Sequence, residues 1–282
     1  MSANWYERAN GPVIVIGMHR SGTSMITRAL TNAGLFMGSD KEDNDESRFF
    51  IAQNEWILSA RSSRWDNIGA FNDCYDERLF NLEVDYLAAR LSGTSFLRYA
   101  GKNRRFFLSN WGWKDPRNTV TLKHWLKIFP GAKVLRINRH GVDVALSLVA
   151  RSEKYLEASL SKQNLRRRIF PYLSKNNGFT DSAISINLEA AFELWHSYNK
   201  VADENTKHLS EQNVFSMNYE DFLSEPKSTI IRLEEFLGIE LSAENFLKES
   251  IDRSKAYSYK NNPVAKEFGE SKGCVLRKYG YL

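Results

Sequence analysis

The chain has 282 residues, of which 42% are apolar and 13% aromatic, and its 39 basic against 34 acidic side chains leave a net charge of +5. That composition supports a sizeable core and excludes a disordered or fibrous chain. Two cysteines, Cys74 and Cys274, exclude a disulfide framework and a cysteine metal cluster. The apolar runs fall short of the roughly 20 residues of a membrane helix, and residues 1–10 have no apolar signal core, so a cytoplasmic protein without a membrane span is expected. The mild positive excess suits an anionic ligand. Basic clusters at Lys102-Asn103-Arg104-Arg105 and Arg166-Arg167-Arg168 read as solvated faces or as contacts for an acidic acceptor. No recognised nucleic-acid module is visible, so a nucleic-acid partner is not expected.

In chain order, the β-branched run Val13-Ile14-Val15-Ile16 predicts a buried strand over 13–17. A loop with glycines at 17 and 22 follows, then a helix over 23–33 stopped by Gly34. An acidic loop over 39–45 leads into a helix from about 46 to 60, and 62–74 reads as irregular. Apolar residues recur at helical spacing over 80–99, and 106–113 predicts a strand ended by Lys114-Asp115-Pro116. Pro116 opens a helix to 129, Pro130-Gly131 turns the chain, and 132–138 predicts a second buried strand. Helices are expected over 142–151, 155–170 and 188–209, a short strand over 214–217, and a helix over 227–237 closed by Gly238. From Tyr257 onward no strong pattern emerges. Strands alternating with helices predict an α/β fold: one P-loop-type domain over 1–282, with a central parallel sheet flanked by helices on both faces.

Strand, glycine loop and helix together make a phosphate cradle, because a helix N-terminus offers free N–H groups and a positive dipole end. Gly17-Met18-His19-Arg20-Ser21-Gly22-Thr23-Ser24 has the Gly-x4-Gly frame of a nucleotide P-loop. Thr23 stands where a Walker loop has lysine, and the cation lies inside the loop at Arg20. That displacement points away from ATP and toward another phosphate donor. A second strand–helix junction carries Arg139, just past a strand, and Ser147 eight residues on. A strand-end arginine and a hydroxyl in the second helical turn suit one shared phosphate at the C-terminal edge of a parallel sheet.

These two motifs, in this order, resemble those of the PAPS-dependent sulfotransferases, PAPS being 3′-phosphoadenosine 5′-phosphosulfate. A third stretch, Asn218-Tyr219-Glu220-Asp221-Phe222 through Phe236-Leu237-Gly238-Ile239, is similar to the family's late strand and helix, so the resemblance spans most of 13–241. It implies that His19, Arg20, Ser21, Gly22, Thr23 and Ser24 hold the 5′-phosphosulfate and that Arg139 and Ser147 hold the 3′-phosphate. Glu46-Ser47-Arg48-Phe49-Phe50 resembles the Glu-x-x-Phe-Phe of the heparan branch, whose glutamate is a general base. Gly112-Trp113-Lys114-Asp115-Pro116-Arg117 resembles the Lys-Asp-Pro segment of the tyrosylprotein branch and a run found in bacterial members. The implied reaction is in-line transfer of a sulfonate to a hydroxyl, with Arg20 at the leaving oxygen, Lys114 at the sulfonate and Glu46 taking the proton. No metal is expected, since backbone N–H groups and cations neutralise the donor.

Alternatives stand beside several of these residues. Glu46 sits among Glu42, Asp43 and Asp45, so Asp43 and Asp45 are rival carboxylates and a solvated loop is the structural reading. Arg117 is a candidate to hold Glu46 or the acceptor. His140, His124, His196 and His208 read as structural or exposed, Tyr219 as a donor neighbour or a buried hinge, and Lys272-Gly273 as a faint late donor motif. The acceptor surface is placed by elimination in 56–110 and 155–180. Carbohydrate is the favoured acceptor, with a protein tyrosine or a small metabolite second. A nucleotide kinase or NTPase is the rival class, disfavoured by Thr23 and by the Arg139 and Ser147 pair.

Overall fold

The computed structural model describes residues 5–7, 9–73, 75–102, 105–173, 178–247 and 252–281. Cys74, Asn103 and Arg104 of the sequence reading lie outside the described residues. In chain order the elements are β1 (Val13–Ile16), α1 (Thr23–Asn32), α2 (Arg48–Ala60), α3 (Gly69–Asp73), α4 (Glu77–Leu91), α5 (Phe96–Ala100), β2 (Gly112–Lys114), α6 (Asn118–Ile128) and β3 (Lys133–Asn138). There follow α7 (Gly141–Ser161), α8 (Gln163–Ile169), α9 (Leu188–Thr206), β4 (Val214–Asn218), α10 (Tyr219–Ser224), α11 (Pro226–Leu237), α12 (Ala243–Phe246), α13 (Pro263–Ser271) and α14 (Gly273–Lys278). The chain divides into two compact units, one of residues 1–139 and 197–256, the other of 140–196 and 257–282.

The first unit carries the sheet, four parallel strands in the order β2-β1-β3-β4. Register pairs Val15 with Lys114 on one side and with Leu135 on the other. All four residues of β1 are buried, as a parallel strand covered on both faces requires. Val13 and Val15 join a core with Ile26, Ala29 and Leu30 of α1, Leu135 and Ile137 of β3, and Leu233 and Leu237 of α11. Burying each such aliphatic side chain contributes about 1.5–3 kcal/mol before chain entropy is counted. The parallel order puts the C-terminal ends of β1, β2 and β3 on one edge, where the loops at 17–22, 115–117 and 139 begin.

The predicted strand over 106–113 shrinks to Gly112–Lys114, preceded by a 3₁₀ turn at Phe106–Leu108. Aromatic packing explains the difference. Phe106 meets Trp111, Phe96 and Tyr99 at ring distances of 5.1, 5.8 and 5.3 Å, a cluster that a continuous strand would pull apart. The predicted helix over 80–99 is two helices, α4 and α5, interrupted at Ser92-Gly93-Thr94. A short helix, α3, lies within the stretch read as irregular.

In the second unit α7 runs ten residues past its predicted end. Its first turns are buried, and a Cβ at Gly141 would come within 2.7 Å of the Trp195 ring, which shows how closely that chain segment meets α9. Asp143 Oδ1 accepts hydrogen bonds from Ser258 Oγ and the Tyr259 amide, both at 2.8 Å, and His140 stacks on Tyr259 at 4.3 Å. The tail is helical where no pattern was expected. Asn262 caps α13 through the amides of Val264 and Ala265, with Pro263 in the first turn. Among the described residues no helix is long and apolar enough to cross a membrane, and no three His, Cys, Asp or Glu side chains converge as a metal site.

Candidate active site

The loop between β1 and α1 has an enforced shape. Gly17 has φ 143°, and a Cβ there would lie 2.5 Å from the Ile137 carbonyl oxygen; Gly22 has φ 92°, and a Cβ there would lie 2.2 Å from the Tyr219 ring. Both positions therefore demand glycine, for handedness and for space. Arg20 also takes a left-handed backbone, φ 70°, and its side chain is exposed at the loop tip. The Gly17 amide donates to Thr119 Oγ1 at 3.0 Å, and Ser21 Oγ donates to the Met18 carbonyl at 2.7 Å, closing the loop on itself. Gly22 is the residue before α1 and supplies no side-chain cap to the first-turn N–H groups. A left-handed turn feeding an uncapped helix start is a cradle suited to an anion, and its residues fit a phosphate-type donor. Replacing Gly22 by alanine is expected to cost roughly 2–4 kcal/mol from backbone strain and overlap with Tyr219. Calorimetry would register it as a lower Tm, and an unchanged Tm would show that the loop adapts.

Arg139, just past β3, donates to the Arg20 carbonyl at 3.1 Å and to the Lys255 carbonyl at 3.0 Å, and its guanidinium lies 4.8 Å over the Tyr219 ring. The strand-end arginine thus reaches the glycine loop. Ser147 lies in the second turn of α7, as its spacing predicted, and is half-buried. His19 is buried with its ring 4.6 Å from Trp65.

The next strand end brings the other charges. Lys114 closes β2 and is 1% exposed. Its Nζ donates to Glu46 Oε1 at 3.0 Å, to the Asn44 carbonyl at 2.5 Å and to Ser24 Oγ, in the first turn of α1, at 3.1 Å. Ser24 Oγ itself donates to the Asn44 carbonyl at 2.7 Å. One ammonium therefore links the glycine-loop helix to a carboxylate. Glu46 precedes Ser47, which caps α2 by accepting from the Phe50 amide. The spacing of Glu46 to Phe50 has a packing reason: Phe50 is fully buried and stacks on Trp113 at 3.8 Å and 3°, and Trp113 is the neighbour of Lys114. Phe49 and Phe50 are core residues that set Glu46 beside Lys114.

Arg117 completes the group. Its guanidinium lies 3.5 Å from Glu46, 2.9 Å from Asp115 and 3.0 Å from Glu55. Burial works against its charge, but Asp115, Glu55 and Glu46 outweigh it and raise its pKa further. Asp115 is fully buried and accepts from Asn54 Nδ2 at 2.7 Å; Asn54 Nδ2 also reaches Asn118 Oδ1 at 2.8 Å, while Thr121 and Trp125 donate to Asn54 Oδ1 at 2.7 and 2.8 Å. Sequence reading had no signal for Asn54, whose role exists only once α2 and α6 meet.

Burial also sets the proton affinities. It pushes the Glu46 carboxyl above the usual carboxylate range, against the pull of Lys114 and Arg117. It pushes the Lys114 ammonium below the usual lysine range, against the pull of Glu46. The two shifts run in opposite directions, the Glu46 carboxyl upward and the Lys114 ammonium downward. The rival carboxylates differ. Asp45 is held by Arg28 at 2.8 Å, and Asp43 is exposed. His124 is buried against Glu83 at 2.8 Å, within an ion cluster with Arg61. In the second unit Lys272 pairs with Glu189 and lies over the rings of Phe192 and Phe268.

A family model described as the sulfotransferase family matches residues 12–243. Among solved structures, the sulfotransferase domain from the curacin biosynthetic pathway is similar at 15% identity and a TM-score of 0.56, over 96% of this chain and 98% of that one. The sulfotransferase domain of the Synechococcus PCC 7002 olefin synthase is similar at the same identity and TM-score, over 97% of this chain and 96% of that one. At such identity these likenesses show the fold. No curated protein is a significant match. The family match spans most of the chain, and with the P-loop-like parallel sheet it settles the assignment: the chain belongs to the sulfotransferase family and is a sulfotransferase enzyme.

Proposed function

We propose that the protein transfers a sulfonate from PAPS to a carbohydrate hydroxyl and releases adenosine 3′,5′-bisphosphate. The observation that carries this reading is the position of Lys114 Nζ, 3.1 Å from Ser24 Oγ on the glycine-loop helix and 3.0 Å from Glu46 Oε1. A donor cradle and a buried carboxylate share one cation. In this reading the loop amides after Gly22, with Ser21, Thr23 and Ser24, hold the 5′-phosphosulfate. His19 backs the loop. Arg139 and Ser147 take the 3′-phosphate on the strength of their spacing in the sequence.

The chemistry is positioning and charge neutralisation, as in phosphoryl transfer. The acceptor oxygen forms a bond to sulfur, and its proton passes to a Glu46 oxygen. The bond from sulfur to the bridging oxygen breaks, and that oxygen leaves with the electron pair, facing Arg20. Lys114 stabilises the charge on the sulfonate oxygens. Arg117, fixed by Asp115 and Glu55, keeps Glu46 aimed.

The acceptor surface is proposed on the first unit, within 56–110. Trp56 and Tyr86 stack at 4.0 Å and both remain part-exposed, an aromatic ledge of the type that sugar rings cover. A screen of hydroxyl acceptors with labelled PAPS tests the whole reading. Label transfer to an oligosaccharide supports it. Magnesium-dependent ATP turnover with no transfer from PAPS would overturn it. The donor half has its own test: adenosine 3′,5′-bisphosphate is expected to raise Tm more than adenosine 5′-monophosphate at equal concentration. A ligand at 100 times its Kd adds about 2.7 kcal/mol, so a lost 3′-contact is visible as a smaller shift. Equal shifts would remove Arg139 and Ser147 from the donor site.

A further inference from the structure

In the second unit, the end of α7 and all of α8 project without a core. From Glu153 to Leu173 no residue is buried. Yet this stretch displays Tyr155, Leu160, Leu165, Ile169, Tyr172 and Leu173, with Tyr172 84% and Leu165 65% exposed. A monomeric surface rarely leaves so many large apolar side chains in one run without a partner.

The charge pattern says which partner. Five basic side chains, Lys154, Lys162, Arg166, Arg167 and Arg168, face two acidic ones, Glu153 and Glu157, giving +3 within 21 residues. At roughly 100° per residue, Leu165 and Ile169 form one stripe on α8, with Arg166 and Arg168 flanking it on either side. The turn after α8 extends this face, since the Tyr172 and Leu173 amides donate to the Ile169 carbonyl at 2.9 and 3.0 Å. The α8 segment is held against α7 by Arg166, which donates to Ser159 Oγ at 3.4 Å. An apolar stripe between cationic flanks is the design of an interfacial helix, whose arginine stems lie along the acyl region while their heads meet phosphates. A second copy of the chain fits less well, because a two-fold contact sets the patch against itself and opposes like charges.

We propose that residues 155–173 form a docking surface for an anionic lipid bilayer. It is independent of the reaction assigned above. Flotation of the full chain with vesicles tests it, comparing equimolar phosphatidylglycerol and phosphatidylcholine with phosphatidylcholine alone at 0.1 M salt. Binding to the anionic vesicles is expected to exceed binding to the neutral ones by at least about tenfold and to weaken as salt rises. R166Q/R168Q, which removes the two flanking arginines, is expected to lose about fivefold per arginine, roughly 25-fold in all. L165S/I169S/L173S is expected to lose binding while Tm stays unchanged, since the three side chains are exposed. Equal binding to both vesicles, or none to either, overturns the proposal. So does retention on heparin that needs the arginines but not the apolar residues. Concentration-dependent dimerisation abolished by the apolar triple variant, without vesicle binding, would assign the face to a second copy instead.

Discussion

Replacing Glu46 by glutamine is expected to lower kcat by about 10²–10⁴-fold, the usual contribution of a positioned general base. The fold should survive. A glutamine carbonyl still accepts from Lys114 Nζ, and Arg117 keeps Asp115 at 2.9 Å and Glu55 at 3.0 Å. Acidity gives a second reading of the same residue. The base works deprotonated, so kcat/KM of the native enzyme falls as pH drops through the Glu46 pKa. Burial raises that pKa, so the fall begins at a higher pH than an ordinary carboxylate would give. The glutamine variant should lack this acidic limb in its residual rate. Turnover equal to the native enzyme would reject Glu46 as the base, with the family and fold unaffected.

Lys114 should carry the second largest effect, in stability as well as rate. Lys114→Met keeps the length of the stem and deletes the charge. Removing one preorganised donor to developing charge typically costs 10²–10³-fold in kcat. The variant also strands Glu46 in a buried site with only Arg117, 3.5 Å away, as counter-charge. Breaking a buried pair from one side costs roughly 3–5 kcal/mol, here an upper range because the carboxyl escapes by taking up a proton. The sign with pH follows. The folded-state pKa of Glu46 in this variant lies further above its unfolded value, so the penalty is largest above that pKa and shrinks as pH falls. Unfolding midpoints between pH 5 and 8 should show the gap to the native protein widening with pH, by several degrees. Adding Glu46→Gln to Lys114→Met should recover much of the loss. A pH-independent gap would mean that the ammonium contributes packing alone.

The sequence revealed the parts whose causes are local. The glycine loop was legible because handedness and close approach at Gly17 and Gly22 leave no other residue type, and β1 and β3 because short β-branched runs between helices read as buried strands. Glu46 was only one of several acidic residues in its loop. What separates it from Asp43 and Asp45 is the stack of Phe50 on Trp113, a contact between residues 63 positions apart. The aromatic run before β2 imitated a strand because burial, not pairing, was the source of its apolar character. The last two helices went unread for another reason: Asn262-Pro263 is a sound start signal, but the helices behind it are short, nine and six residues.

The amide of Asn54 has two hydrogens and two lone pairs, and all four are used: outward to Asp115 and Asn118, inward from Thr121 and Trp125. Its polarity is therefore one-way. Turning the group over would set its oxygen against two acceptors on one side and its NH2 against the donor-only Trp125 N–H on the other. A joint with no spare valence has one assembled state, and this one lies where α2, the Asp115 turn and α6 meet. The helix that begins just after Glu46 is thus keyed to the strand end that bears Lys114 through an uncharged side chain that bonds to neither charge.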